Sequence, residues 1–333
     1  MRRTSWLGRV MVSLAGLALA GCVGAPSMLR PASSVAAREA WLFWVILAVA
    51  AVVFVLVEGL IILIIARDRR RGDETGEPIQ VHGHTRLEII WTVVPLLLVI
   101  VLFGLTVDTM RAVAAPAPRE GDLNVRVVGH RWWWEFEYPD YGFTTANELH
   151  IPLGSAAHLT LESADVIHSF WVPQLAGKTD LIPGAINSMW LSADALGTYE
   201  GQCAEFCGMQ HAGMRIHVIV ESREAFEAWV RTQQAPPAEA VTALERLGQE
   251  MVVSGVCSSC HTVRDTLAQG KLGPDLTHLG SRATMAGGMY PLSESYLRRW
   301  LSNTQEMKPG NLMVLHLKPD DLEAVLAYLN LLK

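Results

Sequence analysis

Charge is scarce in this 333-residue chain, with 18% charged residues against 50% hydrophobic. A density that low leans toward a membrane protein. The net charge of −6 denies the chain the basic face that nucleic-acid binding needs, so no nucleic-acid partner is expected. Internal repeats are absent, and low complexity is confined to short Ala/Pro stretches, so the chain is not a repeat array. Cysteine is sparse too: five residues, Cys22, Cys203, Cys207, Cys257 and Cys260, each in a recognisable context. None is left over for an ordinary structural disulfide, which directs attention to cofactor chemistry.

Arg2, Arg3 and Arg9 precede a short apolar run ending Leu19-Ala20-Gly21-Cys22. That is the layout of an export signal, and its end resembles a lipobox in which Cys22 is lipidated. Residues 1–21 then read as a lipoprotein-type signal and 22–40 as an external segment. Two long apolar runs follow at 41–66 and 89–110, each long enough to cross about 30 Å of hydrocarbon as a helix. Arg67, Arg69, Arg70, Arg71 and Arg86 crowd the segment 67–88 between them, which the positive-inside rule assigns to the cytoplasm. His82 and His84 in that loop read as solvated. Everything after the second span is then external. Glu58 and Glu88, in or at the edge of the membrane, are costly there and are candidates for function or for facing a partner subunit.

Short β-like segments fill 111–221, punctuated by Gly, Pro and Asn/Asp as in an all-β sandwich. In the run Trp132-Trp133-Trp134 a period of two sends Trp132 and Trp134 to one face and Trp133 to the other. A helix over Ser222–Gln234 and a proline-containing linker occupy 222–242. From 243 to 333 the periodicity is helical, an all-α domain whose last helix opens on Pro319-Asp320-Asp321.

Two stretches carry chemistry. "CSSCH", Cys257–His261, has the C-x-x-C-H spacing of covalent c-type haem: two thioethers and a proximal His261. A redox dithiol or a zinc pair is the competing reading. Met commonly completes such an iron, and Met313 in "KPGNLM" is preferred over Met285, Met289 and Met307. "CAEFCGMQHAGM", Cys203–Met214, invites a disulfide, a zinc knot, a redox pair or copper. Thiolate, imidazole and thioether together suit copper that cycles through Cu(I), and two thiolates can bridge a pair of coppers. His211 supplies one imidazole and His168 is the best second; His150, His158 and His217 read as ordinary surface or strand histidines.

These stretches, with "DVIHSFWVP", "GHRWWWEFEY" and "LEIIWTVVP", resemble cytochrome c oxidase subunit II, and "GPDLTHLGSR…KPGNLM" resembles the cytochrome c domain fused to it in caa-type bacterial oxidases. The resemblance implies a two-helix transmembrane hairpin, a Greek-key cupredoxin domain with a binuclear CuA centre, and a class I cytochrome c domain carrying one haem c. It implies CuA ligands His168, Cys203, the Glu205 carbonyl, Cys207, His211 and Met214, with the Glu205 side chain reaching a magnesium at the border with subunit I. Trp132 matches the tryptophan through which electrons arrive, Glu88 a carboxylate at the mouth of a proton pathway, and Asp165 an acid near the donor-docking face. Phe206 stands where aliphatic residues are frequent. Implied partners are oxidase subunits I and III, a cytochrome c or upstream respiratory complex as donor, and membrane lipid; the oxygen chemistry would lie in subunit I, the location in the bacterial cell membrane. A copper-delivery protein would have no use for Met214 or a haem, and a CuA enzyme of the nitrous-oxide-reductase kind would need a histidine-rich catalytic domain.

Overall fold

The computed structural model describes residues 26–68, 76, 80, 83–114 and 119–333. The expected export signal, Cys22 and most of the arginine-rich loop lie outside the described residues.

Two helices, α1 (Ser34–Asp68) and α2 (Thr85–Val113), are long and apolar enough to cross a membrane, with mean hydropathies of 3.0 and 2.7 over their most apolar windows. Pro95 sits inside α2 without ending it. Both helices outrun the apolar runs, because their outer ends dock on the next domain. Val35, Ala36 and Ala40 are buried there, the Ala32 amide donates to the Gln174 carbonyl (2.8 Å), and the Trp190 indole donates to the Val113 carbonyl (3.0 Å). An Arg38–Asp108 ion pair ties the two helices together.

The β domain holds ten strands: β1 (Leu123–His130), β2 (Trp133–Tyr138), β3 (Phe143–Ala146), β4 (Glu148–Pro152), β5 (Ala157–Ser163), β6 (His168–Trp171), β7 (Thr179–Leu181), β8 (Asn187–Leu191), β9 (Gly197–Cys203) and β10 (Arg215–Glu221). They form two five-stranded sheets, ordered β3-β2-β1-β5-β8 and β4-β10-β9-β6-β7. The β1–β5 and β10–β4 pairs are parallel and the rest antiparallel. Between the sheets lie Trp134, Phe136, Tyr138, Leu149, Ile151, Leu159, Leu161 and Phe170, all at most 1% exposed. The expected alternation holds for the last two tryptophans: Trp133 stacks on His130 (centroids 4.2 Å apart) while Trp134 packs edge-on against Phe170. Trp132 departs from it, because β2 begins at Trp133 and Trp132 lies in the preceding turn.

Helix α3 (Arg223–Gln234) starts at Ser222, whose hydroxyl accepts from the Ala225 amide (3.2 Å). Its Trp229 stacks on His150, which also meets Glu221 at 3.1 Å. The C-terminal domain contains α4 (Ala243–Val253), a small hairpin of β11 (Thr284–Met285) and β12 (Tyr290–Pro291), α5 (Glu294–Ser302), α6 (Thr304–Met307) and α7 (Pro319–Leu331). A capping box opens α4, with Thr242 and Glu245 each accepting the other's amide. Helices α4 and α7 cross closely at Gly248, where a Cβ would lie 1.9 Å from the Ala324 carbonyl oxygen. Gly248→Ala is therefore expected to cost the C-terminal domain about 3 kcal/mol through overpacking. In calorimetry its melting transition drops by about 10 °C or more; a transition unmoved within error would refute this close crossing.

Candidate metal and haem centres

Strands β6 and β9 are neighbours in register, Phe170 opposite Cys203, so His168 and Cys203 arrive side by side from two different stretches of chain. The segment leaving β9 loops out and returns into β10, closed by the Cys203 amide donating to the Met214 carbonyl at 2.9 Å. A tight return forces the intervening donors inward. Sγ of Cys203 and Sγ of Cys207 are 3.8 Å apart, well beyond the roughly 2.05 Å of a disulfide. Cys203 Sγ lies 3.9 Å from His168 Nδ1 and 3.2 Å from the Glu205 carbonyl oxygen. Cys207 Sγ lies 3.7 Å from His211 Nδ1 and 3.9 Å from Met214 Sδ. The structure thus gathers His168, Cys203, the Glu205 carbonyl, Cys207, His211 and Met214 into one cluster, with His168, Cys203, Cys207 and Met214 buried. Donors of this softness at this spacing fit a thiolate-bridged copper pair.

The neighbouring Cys207 thiol, followed by His168, lowers the Cys203 thiol against the opposing effect of burial, and Cys207 is pushed up in return.

Two supports of this cluster were not read from the sequence. Asp165 is partly buried and bonded rather than freely solvated: its Oδ1 lies 2.9 Å from His168 Nε2, and its Oδ2 accepts from the Arg131 amide at 2.8 Å. Burial raises its pKa, but those bonds and the Val166 amide outweigh it and hold it at about 2. A Cβ on Gly129 would fall 2.8 Å from the His168 ring, so that strand position has room only for glycine; a glycine inside an apolar strand was the available signal. His217 is a strand histidine of β10 outside the donor cluster, as expected, and its Nε2 lies 3.0 Å from the Gly288 carbonyl of the C-terminal domain. His158 pairs with Asp122 at 3.1 Å.

Trp132 is buried against this cluster. Its indole N–H donates to the Cys207 carbonyl at 2.9 Å, and its ring lies 3.1 Å from where Gly208 would carry a Cβ. The Glu205 and Phe206 side chains are exposed beside it. Glu88 sits apart at the start of α2, where its carboxylate accepts from the His84 amide at 3.1 Å; His84 caps the same helix through Nδ1.

The second constellation occupies a one-turn helix, Val256–Ser259, which sets Cys257 and Cys260 one turn apart with His261 following. His261 Nδ1 donates to the Pro274 carbonyl at 2.8 Å, which leaves Nε2 free to bind a metal. A Cβ on Gly273 would lie 2.5 Å from the His261 ring, so glycine is required at this face. Burial lowers the His261 pKa, favouring the neutral, metal-binding form. Met313 and Cys257 pack against the same apolar cluster of the C-terminal domain. Met285 and Met307 are buried, and Met289 faces Gly213 of the β domain. Apolar Val256, Leu272, Leu312 and Val314, adjacent to Cys257, Gly273 and Met313, are exposed. That surface, beside Cys257, Cys260 and His261, fits a haem.

Comparison with known proteins agrees along the chain. Residues 24–107 match the family model for the cytochrome c oxidase subunit II transmembrane domain, 143–222 that for its periplasmic domain, and 246–333 that for cytochrome c. The chain is similar to cytochrome c oxidase subunit 2 of Alkalihalophilus pseudofirmus, 38% identical over 291 residues, 86% of this chain and 84% of that one. It is 34% identical over 327 residues to the Bacillus subtilis counterpart, covering 92% of this chain and 91% of that one. Quinol oxidase subunit 2 of Bacillus subtilis is 36% identical over 223 residues, 65% of this chain and 68% of that one.

Proposed function

Since the chain belongs to the cytochrome c oxidase subunit II family, part of an oxidoreductase complex whose subunit I it partners, we propose that it is the electron-input subunit and that its own residues hold CuA and haem c. When bound, these groups supply one-electron carriers that take electrons from a cytochrome c donor and pass them to subunit I, where dioxygen is reduced to water with proton translocation. The observation that carries the reading is the convergence of six donors from β6 and the β9–β10 loop around a 3.8 Å pair of sulfurs.

In this reading Cys203, Cys207, His168, His211, Met214 and the Glu205 carbonyl would hold the copper pair. Asp165 fixes the tautomer of His168, so Asp165→Asn should weaken copper binding about 10- to 100-fold in chelator competition. Unchanged affinity would reduce Asp165 to a bystander. Trp132, bonded to the Cys207 carbonyl, is placed to bring electrons to the cluster. Cys257, Cys260, His261 and Met313 would hold the haem, the two thiols by thioether bonds and the imidazole and thioether through its iron. The exposed Glu205 carboxylate is the candidate magnesium ligand at the subunit I border, and Glu88 the candidate proton-pathway group. Two apolar helices anchor the external domains, in our reading in a bacterial cell membrane, with subunit III alongside and Cys22 lipidated.

The test is metal content, copper EPR and donor oxidation on the purified oxidase. A hyperfine pattern from one electron shared by two coppers, with cytochrome c oxidised, supports the proposal. Oxidation of quinol without cytochrome c oxidation would instead favour the chemistry named for the quinol oxidase relatives.

A further inference from the structure

The loop that carries Met313 also makes an enclosed polar contact between the β domain and the C-terminal domain. Lys308 is 3% exposed, and its ammonium donates to the carbonyls of Trp132 (2.7 Å), Gly213 (2.9 Å) and Ala286 (2.9 Å). Trp132 and Gly213 belong to the β domain; Ala286 belongs, with Lys308, to the C-terminal one. The backbone of Ala286, Gly287 and Gly288 runs through φ of 54°, 77° and 75°, which turns its carbonyls toward β10. The Arg215 amide donates to the Gly287 carbonyl at 2.8 Å, and His217 meets that of Gly288 at 3.0 Å. A Cβ on Gly287 would lie 2.2 Å from Lys308 Nζ and 2.6 Å from the Trp132 carbonyl oxygen, so the contact admits only glycine.

A second buried charge answers from the β domain. Glu148, 2% exposed, accepts from the amides of Ala283 (3.1 Å) and Thr284 (2.6 Å) and from the Thr284 hydroxyl (2.5 Å). Each charge crosses the interface in the opposite direction, Lys308 to two carbonyls of the β domain and Glu148 to two amides of the C-terminal domain. Buried charges of this kind add little net stability, but one left unsatisfied is expensive, so they specify a single relative placement. Sliding the domains would strand the ammonium and the carboxylate together.

The placement bears on both candidate centres. Asn311 Nδ2 donates to the Lys308 carbonyl (2.6 Å), and its Oδ1 accepts from the Met313 amide (2.8 Å). From Lys308 the contact runs to the Trp132 carbonyl, and the Trp132 indole reaches the Cys207 carbonyl. We propose that Lys308, opposed by Glu148, is a positioning residue that latches the C-terminal domain against Trp132, so that the two external domains form one electron-transfer body. The electron-transfer part rests on the function proposed above.

The experiment compares the assembled oxidase carrying Lys308→Met or Glu148→Gln with the parent. It reads amide exchange at Arg215, Ala283 and Thr284, together with the rate of electron transfer from the C-terminal domain to the copper cluster. Exchange at these amides should rise about tenfold in Lys308→Met, and at Ala283 and Thr284 in Glu148→Gln. Transfer should slow by about the same factor while copper EPR and haem absorption stay unchanged. Exchange within about twofold of the parent overturns the latch; faster exchange with undiminished transfer overturns the positioning role. Should Lys308→Met fail to fold, Glu148→Gln decides by the same criteria. A parent without a shared-copper signal would defeat the proposed function, while the exchange comparison would still judge the latch.

Discussion

Cys203→Ser or Cys207→Ser will each abolish the shared-copper EPR pattern and strip the bound copper pair. Serine nearly preserves the shape of cysteine but offers a hard oxygen that stays protonated at neutral pH, and soft thiolate is what holds copper through both oxidation states. Either substitution leaves one bridging sulfur, and a single thiolate cannot couple two metals as a 3.8 Å pair can. The surrounding sandwich should survive, because serine nearly matches cysteine in size and the large buried side chains Trp134, Phe136, Tyr138 and Phe170 are unchanged. Metal analysis and EPR on each variant, beside circular dichroism to check the fold, decide the matter. A retained shared signal would place the copper elsewhere. A parent chain isolated with a Cys203–Cys207 disulfide that refuses copper would point to redox exchange or copper delivery.

The double change Cys257→Ser with Cys260→Ser will remove the haem that survives denaturation, leaving no haem-stained band on a denaturing gel. Thioether bonds require the thiols, and no other described cysteine borders this apolar cluster. The copper signal should persist, since the two donor sets lie in separate apolar clusters, one within the sandwich and one around α4, α5 and α7. Donor oxidation should collapse while chemically reduced copper still passes electrons onward. A covalent haem retained in the double variant would refute the role of Cys257–His261. Loss of copper together with haem would show instead that the centres are assembled as one.

Local signals carried most of the fold. The apolar runs predicted α1 and α2, helical periodicity predicted α3 and the helices after 243, and Pro319-Asp320-Asp321 marked the start of α7, because such signals act within one turn. Strands β3, β4 and β7 were not anticipated. They are short, and β4 is buried along its whole length, so it shows no alternation to read. The outer turn of α1 likewise docks through Val35, Ala36 and Ala40, a tertiary contact that hydropathy does not record.

By itself the sequence determined the donor chemistry: residues 203–214 and 257–261 are local runs, and their types and spacing depend on no partner. Only the tertiary structure decided what lies around them. Gly129 yielding space to the His168 ring, and Glu148 and Lys308 crossing between domains, join residues brought together by sheet packing or domain docking, while Asp165 reaches His168 across a local turn whose shape the surrounding strands set. A buried charge is tolerated only where distant backbone groups converge on it, and that convergence is a property of the folded chain.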